Sequence, residues 1–214
     1  MPLTPKQPAP RETYRHGDLR RALLDAGIAL ARDGGPDAVV LREATRRAGV
    51  VPNAAYRHFA GRDDLLAAVR AAALAALAQS MERELAALGR RRSAAQAARD
   101  RVRAIGTGYL RFARAQTGLF RTAFAGPFEV QQPPDPARAG ASGMNPFELL
   151  GDALDTLVRS GALPASRRPG AEYLAWSAVH GLALLAIDGP LRALPDARLH
   201  QLGQRLLDMV EKGL

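Results

Sequence analysis

The sequence predicts an all-α protein of about nine helices, and three features predict it. Apolar residues recur three and four positions apart along Ala- and Leu-rich stretches, as in Leu19, Leu23, Ala26 and Leu30, so that each stretch has one apolar face. Glycine and proline stand where these stretches stop. No alternating apolar and polar run makes a convincing strand, and no internal repeat is visible.

In order along the chain, the first dozen residues are rich in Pro and Gln and predict a flexible arm over residues 1–13. A helix then starts near Asp18, whose carboxylate can cap the amides ahead of it, and Gly34-Gly35-Pro36 ends it. A short helix covers about Leu41 to Ala48, with Ala44 and Ala48 inward and Arg42, Arg46 and Arg47 largely outward. Gly49 stops it, and Pro52 suits the first turn of a third helix, where a missing amide hydrogen costs nothing. After Gly61 a long helix runs from about Arg62 to Leu88, with Asp63 and Asp64 at its positive end and Leu65, Leu66, Val69, Ala73, Leu77, Met81 and Leu85 on its apolar side.

Gly-Arg-Arg-Arg at 89–92 reads as a loop or solvated face, and a helix near 94–116 presents Val102, Ile105, Tyr109, Leu110 and Phe112. A short helical segment holds Leu119, Phe120 and Phe124. Residues 126–144, with four Pro and three Gly, read as a long loop, and loops of that length point to mobility or a functional lid. Asn145-Pro146 has the form of a cap followed by Pro at the first helical position, opening a helix to about Ser160. Two further helices cover roughly 171–188 and 196–211.

At 214 residues and 22.8 kDa the chain can form one large domain or two small ones, each with a real core. It has no Cys, hence no disulfide and no thiolate metal site, and Met1 to Pro10 lacks the apolar run of a signal peptide, so a cytoplasmic protein is expected. The most apolar later stretch, Ala178 to Ile187, is interrupted by His180-Gly181 and is too short to cross a bilayer. The formal charge is +9. Residues 1–70 carry 12 Lys/Arg against 8 Asp/Glu, residues 71–126 carry 10 against 3, and residues 127–214 carry 8 against 10. The basic excess thus lies in the first 126 residues, as expected of a half that approaches a polyanion, although 28 of the 30 basic residues are Arg, which also fits an arginine-biased proteome.

Residues 71–214 contain no catalytic or metal-ligand spacing. His16, His58, His180 and His200 are scattered, and Ser160, Ser166 and Ser177 lack a nucleophile's context, so neither an enzyme nor a cofactor or metal is expected. A helix, a tight Gly turn, a short helix and a further helix within one basic unit form instead the pattern of a helix-turn-helix. Its crossing needs small residues, supplied by Ala44, Ala48 and Gly49. The leading end of its reading helix needs small or polar ones, which Pro52, Asn53 and Ala54 satisfy.

The stretches Tyr14-Arg-His-Gly-Asp-Leu-Arg20, Ala22-Leu-Leu-Asp-Ala-Gly, Leu41-Arg-Glu-Ala-Thr-Arg-Arg-Ala-Gly-Val and Ala55-Tyr-Arg-His-Phe-Ala-Gly-Arg-Asp-Asp-Leu-Leu-Ala-Ala-Val69 resemble the DNA-binding domain of the TetR family of bacterial transcriptional regulators. The segment Trp176-Ser-Ala-Val-His-Gly-Leu-Ala-Leu-Leu resembles the C-terminal domain of one subgroup, named WHG for its Trp and His-Gly. The resemblance implies a helix-turn-helix DNA-binding domain over 14–61 and a helical ligand-binding and dimerisation domain over 62–214. It also implies a homodimer on double-stranded operator DNA, with a small-molecule effector.

By the same resemblance Arg42 contacts a base or a nearby phosphate, and its fork suits guanine O6 and N7. Pro52, Asn53 and Ala54 face the groove, where Asn53 fits either adenine or phosphate. Tyr56, His58 and Arg62 match phosphate contacts, and Arg57 stands between phosphate, base edge and solvent. Leu41, Val50, Ala55 and Phe59 read as core. Val51 stands where the family commonly places a side chain able to cap the helix, and it cannot do so.

In the rear domain the candidate pocket residues are Met81, Ile105, Tyr109, Phe112 and Phe120, with Phe124, Phe147, Leu150, Trp176 and His180. Such a pocket suits a mostly apolar molecule with one polar handle, although each aromatic is more often plain core and fewer than half are expected to touch a ligand. His180 reads first as a satisfied core or interface histidine and second as a ligand contact. The candidate dimer residues are Leu174, Val179, Leu182 and Leu185 in one helix and Leu199, Leu202, Leu206 and Met209 in the next. The leading function is a dimeric repressor released from a palindromic operator. The alternatives are a basic helical module binding acidic protein or membrane surfaces, an activator, or a regulator whose ligand is a co-repressor.

Overall fold

The computed structural model describes residues 16–90, 93–126 and 135–214, and the arm expected over 1–13 lies outside them. Among the described residues there are nine α-helices and no strand. They are α1 (His16–Gly34), α2 (Leu41–Ala48), α3 (Pro52–Ala55), α4 (Arg62–Ala86), α5 (Ala94–Ala115), α6 (Thr117–Ala123), α7 (Pro146–Arg159), α8 (Ala171–Ile187) and α9 (Asp196–Gly213). Short 3-10 turns cover Pro36–Ala38, Pro136–Arg138 and Ala165–Arg167. The first helix begins at His16, ahead of the expected Asp18, whose side chain is outside the description.

Helix α4 is the axis of the molecule, packing against α1, α5, α6 and α7. It is long and apolar enough to cross a membrane by composition, and half of that apolar stretch is buried inside the chain. Near its start Leu65 and Val69 are fully buried, and Gly27 of α1 faces them so closely that a Cβ there would meet Val69 Cγ2 at 2.8 Å. Farther along, the Ser80 hydroxyl donates to the Gly108 carbonyl at 2.9 Å, and Gly108 lets α5 lie against the α4 backbone, since a Cβ would come within 2.6 Å of Met81 Cα. The buried apolar residues form one continuous cluster from Leu23 to Leu214, so the front helices and the rear bundle share a core through α4.

A second joint lies between α6 and the carboxyl end of α1. Arg32 Nε donates to Gln116 Oε1 at 2.9 Å, and the backbone of Gly118 lies so near α1 that a Cβ would run into the carbonyl oxygens of Ala31 and Arg32. The buried Thr122 hydroxyl donates to the Gly118 carbonyl at 2.8 Å, which satisfies the polar group that this close approach buries.

The expected loop over 126–144 is described from Asp135 onward, and that part is held in place. Asp135 caps the turn Pro136–Arg138 by accepting from Ala137 N. Glu82 of α4 accepts from the backbone amides of Ala141 and Ser142 and from the Ser142 hydroxyl, at 2.9, 2.8 and 2.6 Å. Burial raises the Glu82 pKa, but the hydrogen bonds from Ser142 and Ala141 outweigh it and hold the carboxyl below its ordinary value. The loop then enters α7 through a capping box, in which Asn145 Oδ1 accepts from Phe147 N and Glu148 N while Glu148 Oε2 accepts from Asn145 N.

Gly118→Ala should lower the unfolding free energy by about 1–3 kcal/mol, the usual range for overpacking against an unyielding neighbour. Urea unfolding measures it, and an unchanged midpoint would show that α6 can slide off α1 without loss.

Candidate nucleic-acid interface and ligand cavity

At the front of the molecule α2 ends on Gly49, in the left-handed region at φ 68°, and Val50 N donates back to Thr45 O at 3.0 Å. That closure turns the chain into α3, a single turn whose hydrogen bonding runs on through His58 N and Phe59 N, both donating to Ala55 O. Ala55 and Phe59 are fully buried and anchor this turn, and the Arg20 guanidinium lies 5.1 Å from the Phe59 ring centre. Leu41 is buried and Val50 half-buried beside them.

The opposite side of the same turn is exposed. Val51, Pro52, Asn53, Tyr56 and Arg57 face solvent, with Ala54 and His58 half-buried. Tyr56 is 61% exposed, and a large aromatic left that open is poorly explained by packing. Val51 is 69% exposed at the cap position of α3 and provides no side-chain hydrogen bond there.

Three arginines point outward from α2, and two are committed to acidic neighbours. Arg46 holds Glu43 with two hydrogen bonds, at 2.9 and 2.6 Å, and Arg47 meets Asp33 at 3.1 Å and Glu43 at 3.7 Å. The hydrogen bond from Arg46 holds the Glu43 carboxyl below its ordinary value. Arg42 is exposed and forms no ion pair among the described residues. Arg62, at the start of α4, is also exposed but donates to Pro36 O at 3.0 Å and lies 3.7 and 3.8 Å from Asp37 and Asp63. A phosphate there would have to compete with these partners.

Behind the front helices, a narrow cavity of about 70 Å³ lies among α4, α5, α7, α8 and α9. Seven of the ten expected pocket residues line it: Met81, Ile105, Tyr109, Phe124, Phe147, Leu150 and Trp176. Phe112 and Phe120 do not; both are buried in the core, Phe120 stacked edge-on against the far side of Tyr109 at 5.5 Å. His180 is set behind Tyr109, with its Nδ1 2.6 Å from the phenolic oxygen, which also accepts from Trp176 Nε1 at 3.2 Å. Burial lowers the His180 pKa and raises that of Tyr109, so the chain Trp176–Tyr109–His180 is neutral and its members satisfy one another.

Sequence reasoning missed the apolar lining residues Leu74, Val102, Val179, Leu207 and Val210, because Leu and Val on an apolar face carry no mark separating pocket from core. It also missed Arg138 and Asn145, which lie in or at the end of the 126–144 loop. Val179 was expected at a dimer face, but it is buried on the cavity wall, and Leu199 is likewise buried within the chain. Leu182, Leu202 and Leu206 are half-buried, whereas Leu174, Leu185 and Met209 are exposed, joined by Tyr173, Leu184 and Leu194. Among the described residues no group of three His, Cys, Asp or Glu is placed to hold a metal ion.

Residues 102–210, about half of the chain, match the family described as "Tetracyclin repressor-like, C-terminal domain", and residues 23–69 match "Bacterial regulatory proteins, tetR family". No functionally curated sequence matches the chain. Among solved structures, a protein of unknown function from Rhodococcus sp. RHA1 is similar at 25% identity and a TM-score of 0.73, covering 95% of this chain and 99% of that one. A tetR family transcription regulator from Marinobacter aquaeolei VT8 is similar at 19% identity and 0.57, covering 90% and 93%. The tetR regulator TylP from Streptomyces fradiae is similar at 20% and 0.50, covering 91% and 87%. The last two likenesses are likenesses of fold.

Val51→Ser should raise stability by about 1 kcal/mol, because a serine oxygen can accept an amide hydrogen that the exposed valine leaves without a side-chain partner. Thermal and urea unfolding measure it; an unchanged or lower stability would mean that the α3 amides gain nothing from a cap.

Proposed function

Because the chain belongs to the TetR family of bacterial regulatory proteins, we propose that this DNA-binding transcription regulator is a dimeric repressor, released from a roughly palindromic operator by a small, mostly apolar effector. The observation that carries the reading is the sharing of α4. Its first turns are buried in the front helices, and its later turns, through Leu74 and Met81, form a wall of the cavity. A ligand that widens the cavity thereby acts on the element that seats the front helices, and by linkage operator DNA opposes the ligand by the same factor. The cavity is smaller than the usual range of ligand sites, so occupancy by anything beyond a slender molecule requires such widening.

Residues 14–61 form the DNA-binding domain and 62–214 the ligand-binding and dimerisation domain. Arg42, Pro52, Asn53 and Ala54 read sequence, whereas Tyr56, His58 and Arg62 contact phosphate and fix register. The exposure of Tyr56 and of an uncommitted Arg42 supports this division. Arg62 exchanges Pro36 O and Asp37 for a phosphate on binding. Dimerisation uses the exposed apolar faces of α8 and α9, with Leu174, Leu185 and Met209 central, and a two-fold axis follows. Trp176 and His180 support membership in the WHG subgroup, and the protein acts in the cytoplasm.

Arg42→Ala should abolish most of the discrimination between the preferred and a random duplex, while Arg62→Ala should weaken both about equally and reduce the salt dependence. Gel-shift titrations on the two duplexes decide it. Equal losses on both duplexes from both variants would instead favour a basic surface without sequence preference.

Leu174→Glu combined with Met209→Glu should convert a dimer into a folded monomer, as read by light scattering and circular dichroism. A wild-type monomer at micromolar concentration contradicts the dimer, and a doubly substituted chain that stays dimeric contradicts this interface.

A further inference from the structure

We propose that ligand enters and leaves the cavity between α4 and the loop 135–145, and that Glu82 is the positioning residue that holds this mouth shut. The inference rests on reading the cavity as a ligand site, and it adds the route to that site and the residue that controls it.

Where helix meets helix around the cavity, the seams are firmly closed. The backbones of α4 and α5 approach closely at Gly108. Arg103 on α5 donates to Gln204, Asp208 and Glu211 on α9, and Arg99 lies 3.5 Å from the same Glu211. Arg101 on α5 donates to Asp152 on α7 at 2.9 Å. Arg168 joins α7 to α8, meeting Asp155 at 2.6 Å and Glu172 at 2.7 Å. Tyr109, with His180 and Trp176, ties α5 to α8. Parting any of these seams moves a whole helix together with the apolar surface it buries.

The edge facing the loop is built differently. Leu74 and Met81 of α4 line the cavity on one side, and Arg138, Asn145 and Pro146 line it from the loop and its junction with α7. The loop is tied to itself: Gly140 N donates to Met144 O at 2.9 Å, Gly143 N donates to Gly140 O at 3.1 Å, and Arg138 Nε lies 3.2 Å from Asp135 Oδ2. Its outer side, with Pro136, Ala137, Ala141, Ser142 and Gly143, is exposed. An outward swing of the loop therefore uncovers far less apolar surface than the displacement of a helix.

Glu82 follows Met81 directly, so the residue next to the cavity wall is the one that grips the loop. Its carboxylate accepts from Ala141 N, Ser142 N and Ser142 Oγ at 2.9, 2.8 and 2.6 Å, and all three bonds lie at the surface. Hydrogen bonds to a charged acceptor are strong enough to keep the loop closed, and at the surface water replaces them when it opens. None of the three touches the cavity's contents. They act on the rate at which ligand exchanges and leave its affinity alone.

Trp176 is the only tryptophan in the chain and stands on the cavity wall, so its emission reports occupancy. The test follows that emission in the full chain after a temperature jump at several concentrations of 1-octanol, a slender uncharged probe suited to the apolar wall. The relaxation rates give the association and dissociation constants separately. Glu82→Gln keeps the side-chain length but replaces one acceptor oxygen with a donor; it should raise both rates about tenfold or more while changing Kd less than about threefold. Arg103→Gln, which loosens the α9 seam instead, should leave both rates at their wild-type values. Ser142→Ala removes one of the three bonds and should speed both rates by a smaller common factor, which decides the matter if Glu82→Gln does not fold.

Unchanged rates in Glu82→Gln and Ser142→Ala, faster dissociation with a matching loss of affinity, or equal acceleration by Arg103→Gln would overturn the proposal. In each of those results 1-octanol still occupies the cavity, so the ligand-site reading survives. Emission that does not respond to saturating 1-octanol contradicts the ligand-site reading itself, and the mouth falls with it.

Discussion

Leu65 and Val69, fully buried against α1, and Leu74 and Met81, on the wall of the cavity, are carried by one uninterrupted 25-residue helix. A helix of that length transmits displacement because its hydrogen-bonded backbone resists bending, and α4 contains neither Pro nor Gly at which to kink. The close approaches at Gly27 and Gly108 remove the slack that side chains would otherwise provide, so α1 and α5 are both set by the position of α4. The contact of Gly118 with the α1 backbone gives a second fixed point, and α6 carries Phe120 and leads directly into Phe124, which belong to the aromatic group around Tyr109. The front helices therefore rest on two supports that both begin beside the cavity.

Much of this was legible in the sequence, and the reasons differ by element. Apolar periodicity and Gly/Pro punctuation gave every helix within a few residues, because each helix buries one face and ends on a residue that cannot continue it. Asn145-Pro146 gave the start of α7, since the local chemistry of a cap does not depend on the rest of the fold. The exposed side of the α3 turn was legible for the same reason: one short, contiguous segment sets it. The cavity was legible only in part. Whether Phe120 or Phe124 faces it depends on how α6 packs against α5 and α8, and no local pattern records that choice. Arg138 and Asn145 were hidden in a loop whose described part is organised by Glu82, 59 and 60 positions away from its amide partners. Val179 and Leu199, expected at a partner face, are largely covered by their own chain, which periodicity alone does not record.

Polar groups are distributed in the same economical way at both ends. On α2, Arg46 and Arg47 are neutralised by Glu43 and Asp33, which leaves Arg42 as the charge presented outward. At the cavity, Trp176, Tyr109 and His180 are linked through the Tyr109 hydroxyl. In each place internal pairing removes most of the polar surface from competition, and in front it leaves Arg42 beside the exposed leading end of α3.

The central claim, a two-fold regulator that reads DNA with the exposed side of α2 and α3, is tested most directly by selecting bound sequences from random duplexes with the full chain. Enrichment of a two-fold symmetric site, with half-sites about one helical turn or a multiple of it apart, is the predicted result. Recovery of no common sequence, or of a single unrepeated half-site, would contradict it.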